Sequence, residues 1–476
     1  MSYVLGAVKR LVPFVDHFAR FFYSRTDYSA GGVRSYLMGL IMAKRGAKNI
    51  ERMEEHVAGF EYQNVHHAIS VSPWDHRPVM DEIARQADGL LGGGRRTRLV
   101  VDDSGIAKKG RHSVGVARQY CGRAGKIDNC QIAVCTSLAS GQQSTLIDIR
   151  LYLPKEWTED PSRCRAAGVP PGEEEFRSKA EIALQSVLHQ RSLGIRFDIV
   201  SADSGYGSQP ALLHGLDAAG EDFIAEVHCD QHVWTQQPWR HRQGKRPGTT
   251  VSSPRACSAS VRVDQWAQSQ PDTAWQRLKV RATDQGWVEV SYLAARVWVC
   301  EEEEEKLWWL LAWENPDESR SPRQKGSPVS ARRHYALSNA AADCDARRLV
   351  ADGVERNVVE RNFRDAKSEL GMADYQTRGW LPWQHHMALV MLAMLFMLRE
   401  KMHGTPAAPE PALTIGDIVF ALERLLPSRA GPATNPVAVA EMLTKRRRKR
   451  RIDQLRRKEK TRNERPPLLP DEIAPK

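Results

Sequence analysis

Two short apolar runs, each ending in an aspartate, constrain this chain most. Leu99-Val100-Val101-Asp102-Asp103-Ser104-Gly105 and Ile199-Val200-Ser201-Ala202-Asp203-Ser204-Gly205-Tyr206-Gly207 both read as short buried strands, because β-rich apolar residues are bounded there by glycine and polar residues. Each delivers a carboxylate at the C-terminal end of a strand, where α/β sheets commonly build sites. Asp102 and Asp103 would face opposite sides of their strand, so either can supply the first acid. The stretches between them alternate in type. Ser113 to Tyr120, Gln131 to Leu138 and Ser144 to Leu153 are strand-like and suggest an antiparallel meander. Gly172 to Gly194 places Phe176, Ala180, Ala183, Leu184, Val187 and Leu188 at helical spacing. Gln209 to Ala219 reads as a second helix and Asp222 to His228 as a further strand that completes the sheet.

A third carboxylate lies far downstream, in Arg356-Asn357-Val358-Val359-Glu360-Arg361-Asn362-Phe363-Arg364-Asp365-Ala366-Lys367. Offsets of four and seven residues put Arg356, Glu360, Phe363 and Lys367 on one helical stripe. Charged pairs at that spacing are common on solvated helices, so the stripe gains meaning only from the two upstream acids. With Asp102, Asp203 and Glu360 in that order, the chain resembles the DDE transposases of bacterial insertion sequences, in the insertion-sequence-four superfamily. The Arg-x3-Glu-x6-Lys pattern is similar to that family's catalytic helix, and Ala202-Asp203-Ser204-Gly205-Tyr206-Gly207 to the motif around its second aspartate. Asp102-Asp103-Ser104 resembles the Asp-x-Ser/Thr of RNase H-like nucleases and favours Asp102, with Asp103 as the alternative. Where the family usually has tyrosine three residues before the arginine, this chain has Gly353.

The resemblance implies a mixed α/β fold with an RNase H-like catalytic core. It implies Asp102, Asp203 and Glu360 as catalytic residues and ligands of two Mg2+ ions, with Mn2+ able to substitute, and Arg356 and Lys367 as DNA contacts. The expected reaction is end cleavage and strand transfer by a cut-and-paste route on double-stranded DNA, in a homodimer, without a membrane and in the DNA-associated cytoplasm. A domesticated metal-dependent nuclease and a DNA-binding regulator on an inactive scaffold are the alternatives.

Residues 229–344 are too many for a loop and must carry structure. Ser258 to Val263, Gln276 to Ala282, Val288 to Val299 and Leu307 to Trp313 are β-rich, with Pro- and Ser-rich connections such as Ser319 to Val329. A β-rich insertion before the glutamate helix is expected. Most of its tryptophans belong in a core, with Trp298 the candidate for stacking on an unpaired base.

Residues 1–94 read as a helical DNA-binding domain. Phe14, Phe18, Phe21 and Phe22 share one helix face, Val33 to Lys44, Asn49 to Phe60 and Val65 to Val71 read as further helices, and Pro73-Trp74-Asp75 opens a helix over Arg77 to Leu90. The core then comprises 95–228 and 345–404, and 405–476 is a linker (Thr405 to Pro411), a short helix (Thr414 to Leu426) and a basic tail. That tail holds thirteen Lys or Arg against three acids between Lys445 and Arg465, nearly all of the formal charge of +11. Lys445, Arg446, Arg447, Arg448, Lys449, Arg450 and Arg451 open this block, which is expected to bind DNA as a disordered or conditionally helical tail. Eight scattered cysteines, with no Cys-x2-Cys pair, indicate neither a zinc module nor a disulfide framework and fit a reducing compartment. The opening residues lack a signal-sequence pattern. The longest apolar run, Met387 to Leu398, is too short to span a bilayer and suits a buried helix.

Overall fold

The structure is a computed structural model that describes residues 6–23, 28–94, 96–122, 124–238, 259–283, 286–301, 304–314, 333–403, 413–429, 431 and 433–463. Five helices come first: α1 (Ala7–Phe18), α2 (Ala30–Met42), α3 (Ile50–Glu54), α4 (Tyr62–Ser70) and α5 (His76–Leu91). Strands β1 (Thr97–Ala107), β2 (Ala117–Cys121), β3 (Lys126–Ser140) and β4 (Gln143–Tyr152) follow, then α6 (Lys155–Thr158), α7 (Pro161–Ala166) and α8 (Lys179–Ser192). Next are β5 (Ile199–Ala202), α9 (Ser204–Gly207), α10 (Pro210–Ala218), β6 (Phe223–Val227), β7 (His232–Val233), β8 (Val261–Arg262) and α11 (Val263–Ser269). The chain continues through β9 (Gln276–Thr283), β10 (Gly286–Glu301), β11 (Glu304–Glu314) and β12 (Arg333–Ser338). It ends in α12 (Ala346–Glu355), α13 (Val358–Glu369), α14 (Trp380–His403), α15 (Ile415–Leu425) and α16 (Pro436–Asn463).

The fold is mixed α/β, built on one mixed sheet in the order β2-β3-β1-β5-β6-β12-β11-β10-β9, with β4 also on β3. At its centre β1, β5 and β6 run parallel, with Leu99 opposite Val200 and Ser201 opposite Ile224. Burial on both faces explains their near-continuous apolar character. The meander expected after the first acid is present as β2, β3 and β4, and β3 runs antiparallel to the full length of β1.

The sequence reading had the sheet end at Asp222 to His228, but it does not end at that strand, β6. β12 pairs antiparallel with β6, Leu337 opposite Ala225, and carries β11, β10 and β9 outward in the same sheet. Its six residues join the insertion to the core, a strand that sequence pattern alone did not reveal. Among the described residues of the stretch Ser258 to Val263, which begin at 259, Val261–Arg262 form strand, and α11 begins at Val263.

Helix α14 is apolar on nearly every side, and residues Met387 to Leu398 are all buried. It is long and apolar enough to cross a membrane, yet here it is wrapped by α2, α4, α5 and β4. A helix without a polar stripe needs such enclosure. The N-terminal helices therefore spend their apolar faces on the same core as the central sheet: Phe14 packs on Phe396, and Trp74 stacks on His385. The linker Thr405 to Pro411 and the connection Ser319 to Val329 lie outside the described residues.

Candidate active site

Val101 of β1 pairs with Ala202 of β5 in parallel register, so Asp102 and Asp203 are the next residues on adjacent strands. β5 ends there, whereas β1 runs on to Ala107 against β3, so Asp102 does not end its strand as the sequence suggested. The Asp203 side chain caps α9, accepting from the Tyr206 N–H at 3.1 Å. That turn is pressed onto β6: a Cβ on Gly207 would stand 1.9 Å from the Glu226 carbonyl oxygen, so only glycine fits. Across the opening, α13 contributes Glu360, Phe363, Arg364 and Lys367 to the walls of one cavity of about 1060 Å³, which Asp102, Asp103, Asp203 and Arg356 also line. Lys367 Nζ donates to the Gly105 carbonyl at 2.9 Å and ties α13 to β1 just beyond the acids.

The expected single stripe is broken in two. Helix α12 stops at Glu355 and α13 starts at Val358, leaving Arg356 and Asn357 in the turn between them. Glu360 and Lys367 share α13, whereas Arg356 reaches the cavity from the junction. Its Nε donates to Glu226 Oε1 at 2.9 Å, and its guanidinium lies 3.7 Å from Asp102 Oδ2. The junction is fixed from below. Arg98, fully buried, and Arg96 at the entrance to β1 both pair with Asp352 and Glu355 of α12.

Burial, and then the charge of Asp203, push the Asp102 carboxyl up to about 8, with Arg356 opposing them. At Glu226 burial works in the same direction, but His334 and Arg356 outweigh it and hold the acid down at about 2. Arg356 is correspondingly raised: burial disfavours its charge, and Glu226 and Asp102 more than restore it. Asp103 has a different partner, accepting from Lys179 Nζ at 2.7 Å. Lys179 is the first residue of α8 after Ser178, whose side chain forms a capping box with Glu181.

A divalent metal is what the chemistry of this site calls for, and the residues fit one. The donor set is all carboxylate oxygen, suited to a hard cation. The Ser104 hydroxyl and the Tyr206 phenol are buried beside it without hydrogen-bond partners. Among the described residues no three His, Cys, Asp or Glu side chains already stand together as a closed metal site. Glu360 is exposed on α13, in the lining of the same cavity.

Other expected site residues fall elsewhere. Trp298 sits in β10, its backbone bridged to Trp234, and is not among the residues that line the cavity. Lys445 to Arg451 belong to helix α16, the helical one of the two forms expected for this block, and α16 continues to Asn463, with Arg465 outside the described residues. Arg446 and Arg450 pair with the buried Asp417 of α15, and Arg447 is itself buried. The glycine at 353 also has a cause. A Cβ there would stand 2.9 Å from the Trp313 ring and 3.1 Å from Ile224, leaving no room for a tyrosine. Sequence reading missed Glu226, whose signal was a lone acid inside a buried apolar strand, and Lys179, which had none.

Two acids just past the parallel pairing of neighbouring strands thus share one cavity with a helix that carries a third acid and cations. The chain belongs to the DDE superfamily endonucleases, whose family description matches residues 13–286, more than half of its length. The match includes Asp102 and Asp203 and ends before Glu360. The chain is also similar to the probable transposase for insertion sequence element IS701 of Microchaete diplosiphon, with 28% identity over 225 residues, 47% of this chain and 56% of that protein. It thus spans about half the length of the curated relative it matches.

Proposed function

We propose that the protein is a DNA transposase with an RNase H-like core, cutting the ends of an insertion sequence and joining them to target DNA by a cut-and-paste route. One observation carries the reading: Asp102 and Asp203 lie side by side just past the parallel pairing of β1 with β5 and share a single cavity with Glu360 and with cations able to take phosphate charge. Asp102 and Asp203 would hold the metal from the sheet side and Glu360 from α13, Mg2+ being the expected ion. Two such ions, when bound, activate the attacking oxygen and stabilise the leaving one.

The protein's own groups do the rest. Arg356 holds Asp102 and Glu226 in place and balances their charge. Lys179 engages Asp103 and balances its charge, which favours Asp102 as the first ligand. Lys367, Arg364 and Arg45 present positive charge to the strand backbone from the cavity walls. The basic face of α16 adds contacts along double-stranded DNA, in a homodimer working at the cytoplasmic DNA.

The test is incision of a duplex carrying the element's terminal repeat, with Mg2+ and with EDTA. Asp102→Ala, Asp203→Ala and Glu360→Ala should each lower nicking by at least about a thousandfold, since each removes a metal ligand, while DNA binding persists. Nicking by the wild type in EDTA, or full activity of the Glu360 variant, overturns the proposal.

A further inference from the structure

The β2–β3 hairpin carries an exposed apolar pair at the mouth of the cavity. Its inner face is anchored: Ala117, Cys121 and Cys130 are buried, and Cys121 Sγ lies 2.6 Å from where a Cβ on Gly105 would be. Only the missing side chain of Gly105 admits that contact, which fixes the hairpin to β1 two residues beyond Asp103. Strand alternation then turns Arg118 and Tyr120 outward. Tyr120 pairs across the strands with Ile127, so the two side chains stand side by side on the outer face. Each is 61% exposed, and Tyr120 lines the same cavity as Asp102, Asp203 and Glu360.

An aromatic beside an aliphatic at that exposure contributes nothing to the core, and water is a poor partner for both. The surroundings identify what covers them. Arg118 is exposed on the same face, and Lys179, Arg364 and Lys367 line the cavity that Tyr120 borders. A ligand with negative charge at close intervals and flat apolar faces between them satisfies both features, and a nucleic-acid strand has that chemistry.

We propose that the β2–β3 hairpin is a wedge, Tyr120 and Ile127 packing against a nucleobase unstacked from the DNA at the cavity and Arg118 meeting an adjacent phosphate. This rests on the proposed transposase function and assigns base contact to the hairpin instead of to Trp298.

The probe is the terminal-repeat duplex of the incision assay, with 2-aminopurine placed in turn at each position flanking the nick. Wild type should raise fluorescence several-fold at one position. Tyr120→Ala and Ile127→Ala should each remove most of that rise and slow nicking by about tenfold, the scale of a lost base stack, whereas Tyr120→Phe should keep both. Both residues are exposed, so thermal melting should be unchanged in all three variants. A wild type that nicks without any fluorescence rise, or a Tyr120→Ala, Ile127→Ala double variant that keeps the rise, overturns the wedge. A double variant that instead changes the oligomeric mass in light scattering and leaves fluorescence alone overturns it in favour of a second copy of this chain. Failure of the wild type to nick refutes the function itself, and the wedge with it.

Discussion

Asp102 carries a proton in the folded protein up to about pH 8, chiefly because it is buried and next because Asp203 lies beside it. A carboxyl raised in the folded state binds more protons folded than unfolded, so its contribution to stability declines as pH climbs from about 4 to about 8. Asp102→Asn, which does not titrate, should therefore gain on the wild type over that window, by about 1–2 kcal/mol near pH 8, well below the full linkage value. Thermal melts of both proteins from pH 5 to 9 without metal check this, and an equal gap at every pH contradicts it. Metal should close the gap only in the wild type. At this scale the sequence drew attention to the acids because each follows an apolar run, although β1 runs on past Asp102 and only Asp203 follows the end of its strand. The pairing of Glu226 with Arg356 was not, since it joins residues 130 positions apart through packing alone. Trp298 stands at the end of an alternating strand, but alternation alone does not say which strand face opens onto the cavity, and Trp298 is not in its lining.

The break between α12 and α13 shows how an element's ends depend on what surrounds it. The i, i+4 and i+7 pattern runs straight through Arg356 and Asn357, yet Gly353 one turn earlier lies against Trp313 and Ile224 so closely that α12 is set by β11 and β6 as well as by its own sequence. Gly353→Ala should cost about 1–3 kcal/mol by overpacking, despite alanine's better helix propensity. Denaturant unfolding measures it; a stabilised variant would mean that Trp313 yields freely. The start of α8 went astray for a related reason. Apolar spacing extends back to Phe176, but the Ser178–Glu181 capping box starts the helix at Lys179 and leaves Phe176 40% exposed. Periodicity reports which residues could share a face, whereas the cap decides where the helix begins.

For the molecule as a whole, charge and packing meet in α16. Deleting the chain from Thr444 onward should weaken nonspecific DNA binding and flatten the dependence of log K on log salt, because most of the net positive charge goes with it. It should also lower stability by about 1–3 kcal/mol, since Arg446 and Arg450 leave Asp417 buried without its cations. Salt titrations and melts of the truncated protein test both effects, and an unchanged salt slope would remove α16 from the DNA surface. Composition located this charge, but it did not indicate that part of it is spent inside the fold. The N-terminal helices were likewise foreseen as helices, while their shared core with α14 depends on contacts between residues more than three hundred positions apart.

The strand β12 has a practical consequence for anyone recombining this protein. Because it pairs directly with β6, excising 229–344 as a module would strip the central sheet and leave the backbone donors and acceptors of β6 facing solvent. An unprotected edge of that kind invites another chain to add to it. Chimeras cut at the apparent insertion boundaries should aggregate, whereas exchanges confined to the β9–β11 portion, with β12 retained, keep the edge covered.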